Sequence, residues 1–251
     1  MAYNSIIYQK KGSIVWITLN CTATGNTVNL EMANELHDAC CAVNQDDEVR
    51  AVVITGAGDF FCKGADLDEL QSFLNPSDVA ARAVASLDCP VIAAVNGDAL
   101  GIGLELALCC DIRVCVQSAH LGFPETSYGL IPGGGGTQRL PRIVGMGKAT
   151  EMVLTADSID AHEAYRIGLV NNVVAADKLK DQVQEIADKL VSRAPIAVRY
   201  AKEAVSKGMD MTVDQGLRLE GDLSFLLQST EDRAAGIKAF LEKGKAEFKG
   251  V

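Results

Sequence analysis

Apolar and polar positions change their period several times along the chain, and each change marks an element. Residues 5–11 (SIIYQKK) and 13–20 (SIVWITLN) are two β-like runs that meet at Lys11-Gly12, the pattern of a hairpin. Residues 30–45 switch to a helical period, with Leu30, Ala33, Leu36 and Ala39 or Cys40 on one stripe. Three continuous apolar runs follow: RAVVITG (50–56), PVIAAVNG (90–97) and DIRVCVQ (111–117). Such runs, alternating with helical segments, predict strands buried on both faces of an α/β fold. From about residue 147 the pattern is mostly helical, through GKATEMVLTA, DAHEAYRIG, AADKLKDQVQEIADKLVSR, PIAVRYAKEAVSKG and 212–247. Only VNNVV at 170–174 interrupts it, as a short strand.

Composition narrows the class. A chain of 251 residues is long enough to bury a full core. With 48% apolar and 22% charged residues it reads as an ordinary globular protein. A net charge of −10 argues against a nucleic-acid partner, because phosphate binding wants a basic face. No apolar run reaches the ~18 residues of a membrane span, and the first 20 residues lack the pattern of a signal peptide. The eight cysteines form two adjacent pairs, Cys40–Cys41 and Cys109–Cys110, and four singletons, with no C-x-x-C. Most lie in apolar runs, where a free thiol behaves as a small hydrophobe. Reduced thiols and a cytoplasmic location are the expectation.

The candidate chemistry rests on carboxylates and backbone dipoles. His37 sits in a helical pattern and His162 near a helix start, and both read as surface or structural groups. H-x-x-x-H, H-E-x-x-H and G-x-S-x-G are absent, which disfavours zinc and serine hydrolases. Glu105 in NGDALGIGLELALCCDI and Glu125 in AHLGFPETSYGLIPGGGG each follow a glycine-rich or turn-like stretch in apolar surroundings. A carboxylate there must be paired, hydrogen-bonded or catalytic, since burying an unpaired charge is costly. After the strand RAVVITG, Gly56, Gly58 and Gly64 relax the backbone so that peptide N–H groups can face a cavity, and Asp66 is placed to cap a helix. Gly97, Gly101 and Gly103 form a second turn into the helix LELALCC, whose N-terminal amides suit an anion. Two loops offering one N–H each to a single point would form an oxyanion hole. Plainer readings stand beside these. A dinucleotide fingerprint fails at Leu106, Gly133–Gly136 taken alone is a flexible turn, Asp111 is a structural carboxylate, and Glu105 in isolation is equally well a paired structural group.

The segments FCKGADLDEL, PVIAAVNGDALGIGLELALCCDIRV and FPETSYGLIPGGGGTQRLPRIVG together resemble the crotonase superfamily, whose best-known member is enoyl-CoA hydratase. The resemblance runs from ITLN and NTVNLEM to the tail TEDRAAGIKAFLEKGKAEFKG. It implies an α/β fold, a crotonase-like spiral of ββα units over residues 1–190, and a helical C-terminal trimerisation region over 191–251. Homotrimers or hexamers built as dimers of trimers are implied with it. The implied substrate is an acyl-CoA thioester, with coenzyme A part of the substrate and no metal or redox cofactor needed.

Residue by residue, the resemblance implies an oxyanion hole from the backbone N–H groups of Ala65 and Ile102. The second position is commonly glycine, but only its main chain is required. Glu105 and Glu125 match the acid/base pair of the hydratases. Lys63, Gly64, Asp66, Leu67, Gly101, Pro124, Gly133 and Lys243 are implied in substrate or CoA binding. Isomerases and dehalogenases of the superfamily often lack one glutamate, so both together favour adding water across the C2=C3 bond of a 2-enoyl-CoA. Enoyl-CoA isomerisation, hydration of a cyclic dienoyl-CoA and a non-catalytic acyl-CoA-binding subunit are the alternatives. The chain also departs from the pattern. Cys21, Thr22 and Thr24 stand where many relatives carry Arg-Pro and then Lys, and Asp68 where a lysine is frequent. Lys63 and Lys243 are the candidate replacements. The stretch 66–96, which normally borders the acyl pocket, is shorter than in the common short-chain hydratase, which keeps a branched or cyclic acyl group open.

Overall fold

The computed structural model describes residues 3–65 and 76–251, so Asp66, Leu67 and Asp68 lie outside the described residues. Strands β1 (Ile6–Lys11) and β2 (Ile14–Leu19) form the expected antiparallel hairpin, with Ile6 opposite Leu19 and Lys11 opposite Ile14. β3 (Ala51–Gly56), β4 (Val91–Val95), β6 (Ile112–Val116) and β9 (Asn172–Val174) then add in parallel, giving the order β1-β2-β3-β4-β6-β9. Val52, Val53, Ile54 and every residue of β4 are buried, as an unbroken apolar run in a two-faced parallel sheet requires. Helix α1 (Leu30–Asn44) starts where the Asn29 side chain accepts the Met32 N–H at 2.9 Å. It buries Met32, Ala33, Leu36, Ala39, Cys40 and Val43, while Leu30 is only half-buried.

A second, shorter ladder runs beside the first sheet. It contains β5 (Ala99–Leu100), β7 (His120–Gly122) and β8 (Ile159–Asp160), and single parallel bridges join Val28 to Ala65 and Cys62 to Ala99. The chain therefore winds repeatedly from a long strand to a short segment and on to a helix. β2 leads through Val28 to α1, and β4 leads through β5 to α3 (Ile102–Cys109). β3 leads to Cys62–Ala65, with α2 (Pro76–Ala85) further along. This is a spiral of ββα turns. Its register is set by the short segments: Cys62 aligns with Ala99, and Ala99 with Leu121.

The remaining helices are α4 (Gly136–Val144), α5 (Met146–Thr155), α6 (Ala161–Arg166), α7 (Leu179–Val191), α8 (Pro195–Gly208), α9 (Val213–Leu226) and α10 (Glu231–Leu241). α7 packs on β3, β4 and β6 and buries Leu179, Val183 and Ala187. Burial changes sharply after it. Pro195, Leu223 and Asp232 are the buried residues of α8, α9 and α10, while Val213, Phe225 and Phe240 stand in solvent. Asp111 is structural, as expected: it accepts the Val91 N–H at 2.7 Å and pairs with Lys202 at 2.9 Å. All eight cysteines are free thiols, and burial pushes Cys40 and Cys62 up to about 12. No helix among the described residues is long and apolar enough to cross a membrane.

Candidate active site

The register of the second ladder brings three distant loops abreast. Two to four residues beyond Cys62, Ala99 and Leu121 come Gly64–Ala65, Gly101–Ile102 and Pro124–Glu125. Gly64 and Gly101 both have positive φ, +133° and +54°, which turns the chain out of each short segment. The loops touch: a Cβ placed on Gly101 would lie 3.6 Å from the Gly64 Cα and 2.6 Å from Glu125 Oε1. Among the described residues, neither the Ala65 N–H nor the Ile102 N–H has a hydrogen-bond acceptor. Ile102 opens α3, so its amide has no partner within the helix.

Glu105 lies in the first turn of α3, a helix buried on nearly all sides, and is 1% exposed. Its Oε1 accepts the Gly134 N–H at 2.8 Å and the Gly136 N–H at 2.7 Å. The run Gly133–Gly136, which alone reads as a flexible turn, is thus the cradle of a carboxylate, with Gly136 the first residue of α4. Side chains have no room here. A Cβ on Gly134 would sit 2.7 Å from Glu105 Oε2, and one on Gly136 2.6 Å from the Phe123 ring. Glu105 Oε2 has no hydrogen-bond partner among the described residues.

Glu125 begins the 3-10 turn Glu125–Tyr128, directly after the half-buried Pro124. The turn is anchored by Thr126 Oγ1 donating to the Val153 carbonyl at 2.9 Å and by the Leu130 N–H donating to the Glu125 carbonyl at 3.0 Å. Glu125 Oε2 is also buried, without a partner among the described residues. Burial raises the pKa of Glu105, opposed by the Gly136 and Gly134 amides and by the charge of Arg139. Glu125 is pushed up to about 7, first by burial and further by the Glu105 charge, with only its own backbone amide opposing. The two carboxylates are held in different environments, which suits one for accepting and one for donating a proton.

Two asparagines splint the first loop, and the sequence reading passed over both. Asn26, fully buried, donates from Nδ2 to the carbonyls of Ala57 and Phe60, both at 2.9 Å, and accepts the Cys21 N–H at 3.0 Å. Asn96 accepts the Gly56 N–H and donates to the Gly58 carbonyl, both at 2.9 Å. Their signal was the dipeptides Gly25-Asn26 and Asn96-Gly97, which mark turns. The expectation for Gly56 needs correction: its φ is not positive, and glycine is required because a Cβ would run into the Phe60 carbonyl.

Of the other expected residues, Lys63 is exposed beside the first loop, its N–H on the Gly25 carbonyl at 3.0 Å and its Nζ 3.8 Å above the Phe60 ring. Gly133 is exposed at the start of the glycine run. Lys243, exposed beyond α10, donates its N–H to the Phe240 carbonyl, and among the described residues no contact brings it to the glutamates. His120 pairs with Asp98 at 3.3 Å, and His37 lies 3.6 Å from Cys41, both at the surface.

Two carboxylates, each with a buried oxygen that lacks a partner among the described residues, on a ββα spiral whose neighbouring loops carry the Ala65 and Ile102 amides, have the make-up of an acid/base enzyme site of the crotonase class. Comparison with known proteins agrees. The family model described as enoyl-CoA hydratase/isomerase matches residues 9–251. The chain is 43% identical over 257 residues to the crotonyl-CoA hydratase of Syntrophomonas wolfei subsp. wolfei, covering 99% of each. It is 41% identical over 256 residues to the short-chain-enoyl-CoA hydratase of Clostridium acetobutylicum, covering 98% of each. The crystal structure of enoyl-CoA hydratase from Bacillus anthracis matches with a TM-score of 0.95 at 40% identity, over 99% of this chain and 100% of that one. The chain belongs to the enoyl-CoA hydratase/isomerase family, within the crotonase superfamily its motifs resemble. This likeness over nearly the whole chain supports an enzyme of the hydro-lyase type.

Proposed function

We propose that the protein reversibly adds water across the C2=C3 double bond of a 2-enoyl-CoA thioester, giving a 3-hydroxyacyl-CoA. The observation that carries this reading is the pair of buried oxygens, Glu105 Oε2 and Glu125 Oε2, which with the Ala65 and Ile102 amides lack a partner among the described residues. Leaving such oxygens without donors costs stability, and a substrate and a water would supply what is missing. The thioester carbonyl accepts from the Ala65 and Ile102 N–H groups. As the water oxygen bonds to C3, the π electrons move toward that carbonyl, and the two amides stabilise the charge where it develops. Glu105 takes the proton of the attacking water. Glu125 delivers a proton to C2 as the carbonyl re-forms, and exchange with solvent resets both groups.

Gly64, Gly101, Pro124 and Gly133 shape the loops around the acyl thioester in this reading. Lys63 stands beside the loop that lacks the usual cations, where it would meet the CoA phosphates, and Lys243 is the second candidate. Asp66 and Leu67 remain candidates for the acyl side. Residues 1–190 form the spiral core and 191–251 a helical region that assembles homotrimers or dimers of trimers. The exposed apolar side chains of α8, α9 and α10 support that assembly.

The test is hydration of crotonyl-CoA, followed by loss of enoyl-thioester absorbance. Glu105→Gln and Glu125→Gln should each lower kcat by at least ~100-fold, the scale of a positioned acid or base. Near-normal hydration by either variant sinks the mechanism. A panel of linear 2-enoyl, 3-enoyl and cyclic dienoyl thioesters, with products identified by mass and NMR, then separates hydration from isomerisation and selects the acyl group.

A further inference from the structure

We propose that Arg139 is a positioning residue for this chemistry, fastening the glycine cradle around Glu105 and supplying the positive charge behind that carboxylate. The inference rests on the reading of Glu105 as the base. It begins with what holds the cradle. Arg139 Nη1 donates to the Gly134 carbonyl at 2.8 Å, and the Arg139 N–H donates to the Gly135 carbonyl at 2.9 Å. The guanidinium folds back over the loop so closely that a Cβ on Gly135 would run into Nη1. One side chain therefore ties the first turn of α4 to the segment whose two amides grip Glu105 Oε1.

The charge is also left available. Three arginines line the cleft behind the cradle: Arg82, Arg139 and Arg142. Arg82 is taken up by Asp78 at 2.8 Å, and Arg142 by Asp210 at 3.2 Å. Among the described residues Arg139 forms no salt bridge, and no carboxylate of theirs takes up its charge. Its field falls on Glu105 and opposes the effect of burial there. The other groups facing Glu105 do not replace it. Asp78 on α2 acts in the opposite direction, and Cys109, one turn along α3, is pushed up to about 11 and stays neutral. Glu125 adds a second acid rather than a cation, and the two glutamates repel when both are charged.

The experiment compares the full-length Arg139→Met and Arg139→Lys variants with the unaltered protein, reading kcat and KM for crotonyl-CoA across the pH range. Arg139→Met should move the acid limb of kcat/KM, set by ionisation of Glu105, upward by about one pH unit, with KM little changed. Arg139→Lys keeps the charge but loses the fork, so its limb should stay in place while kcat falls. A second readout is independent of turnover: a carboxyl NMR titration in protein labelled with ¹³C-glutamate, the Glu105 signal assigned by its loss in Glu105→Gln. Its midpoint should rise in Arg139→Met and not in Arg139→Lys. A uniform loss of activity with limb and midpoint both unmoved makes Arg139 mere scaffolding and overturns the proposal, as does an Arg139→Met protein that behaves normally. If Arg139→Met does not fold, a displaced midpoint in Arg139→Lys overturns it. If Glu105→Gln hydrates normally, the reading of Glu105 as base falls, while the titration still reports what Arg139 does to that carboxylate.

Discussion

Burial raises the proton affinity of Glu105 and Glu125 alike, but two peptide amides meet Glu105 and only its own backbone amide meets Glu125. The proposed hydration needs the first ionised and the second protonated. With Glu125 at about 7, kcat/KM for hydration should fall as pH rises through that value, measurable as a basic limb in initial rates. The same shift bears on stability. The folded state holds the Glu125 proton more tightly than the unfolded chain, so its contribution is full below about 4.5 and is lost as pH rises through about 7. Glu125→Gln should therefore stabilise the protein at about pH 8, by on the order of 1–3 kcal/mol, and the gain should shrink at about pH 5. Urea unfolding at the two pH values checks it, and an equal gain at both would refute the assignment. Both glutamates stood out in the sequence because carboxylates are rare in such apolar runs. The donors to Glu105 did not, since they lie 29 and 31 positions away and are main-chain groups with no side-chain signature.

The glycine cradle is the first turn of a helix as well as a loop, so its geometry depends on α4 starting at Gly136. A methyl group at Gly136 would crowd both the Phe123 ring and Glu105 Oε1, 3.0 Å away. Gly136→Ala should reduce kcat by roughly 100-fold and destabilise by about 1–3 kcal/mol, the usual penalty for overpacking. Gly147 in α5 is the control: a Cβ there meets nothing within 4 Å, so Gly147→Ala should leave kcat unchanged and raise the melting temperature slightly. If both alanines act alike in kinetics and thermal melts, crowding is not the cause. The long strands were legible as β-like or unbroken apolar runs of five or six residues, and α1 because fifteen residues carry a helical period. The second ladder was not, because segments of two or three residues such as β5 and β7 carry no such pattern.

At the level of the assembled chain, α8, α9 and α10 are left with Val205 72%, Phe225 74% and Phe240 84% exposed, more apolar surface than helices of this length retain when fully packed. Sedimentation velocity should find trimers or hexamers, and Phe225→Asp with Phe240→Asp should release smaller species. Unchanged sedimentation of that double variant would show that another face joins the subunits. The helical character of this half was evident in its sequence pattern, but the exposure of one face was not, because an amphipathic stripe looks the same whether its partner lies within the chain or on another copy.

The stacking of Cys62 on Ala99 and of Ala99 on Leu121 has one more consequence. Each turn of the spiral is locked to the next at its short segment, through one bridge at Cys62 and Ala99 and through the β5–β7 pair at Ala99 and Leu121. A change of register at β5 or β7 would therefore move the loops of Gly64–Ala65, Gly101–Ile102 and Pro124–Glu125 relative to one another. The spacing of the three loops is thus held by main-chain pairing, and a side-chain substitution within the short segments leaves that pairing in place as long as the new side chain fits.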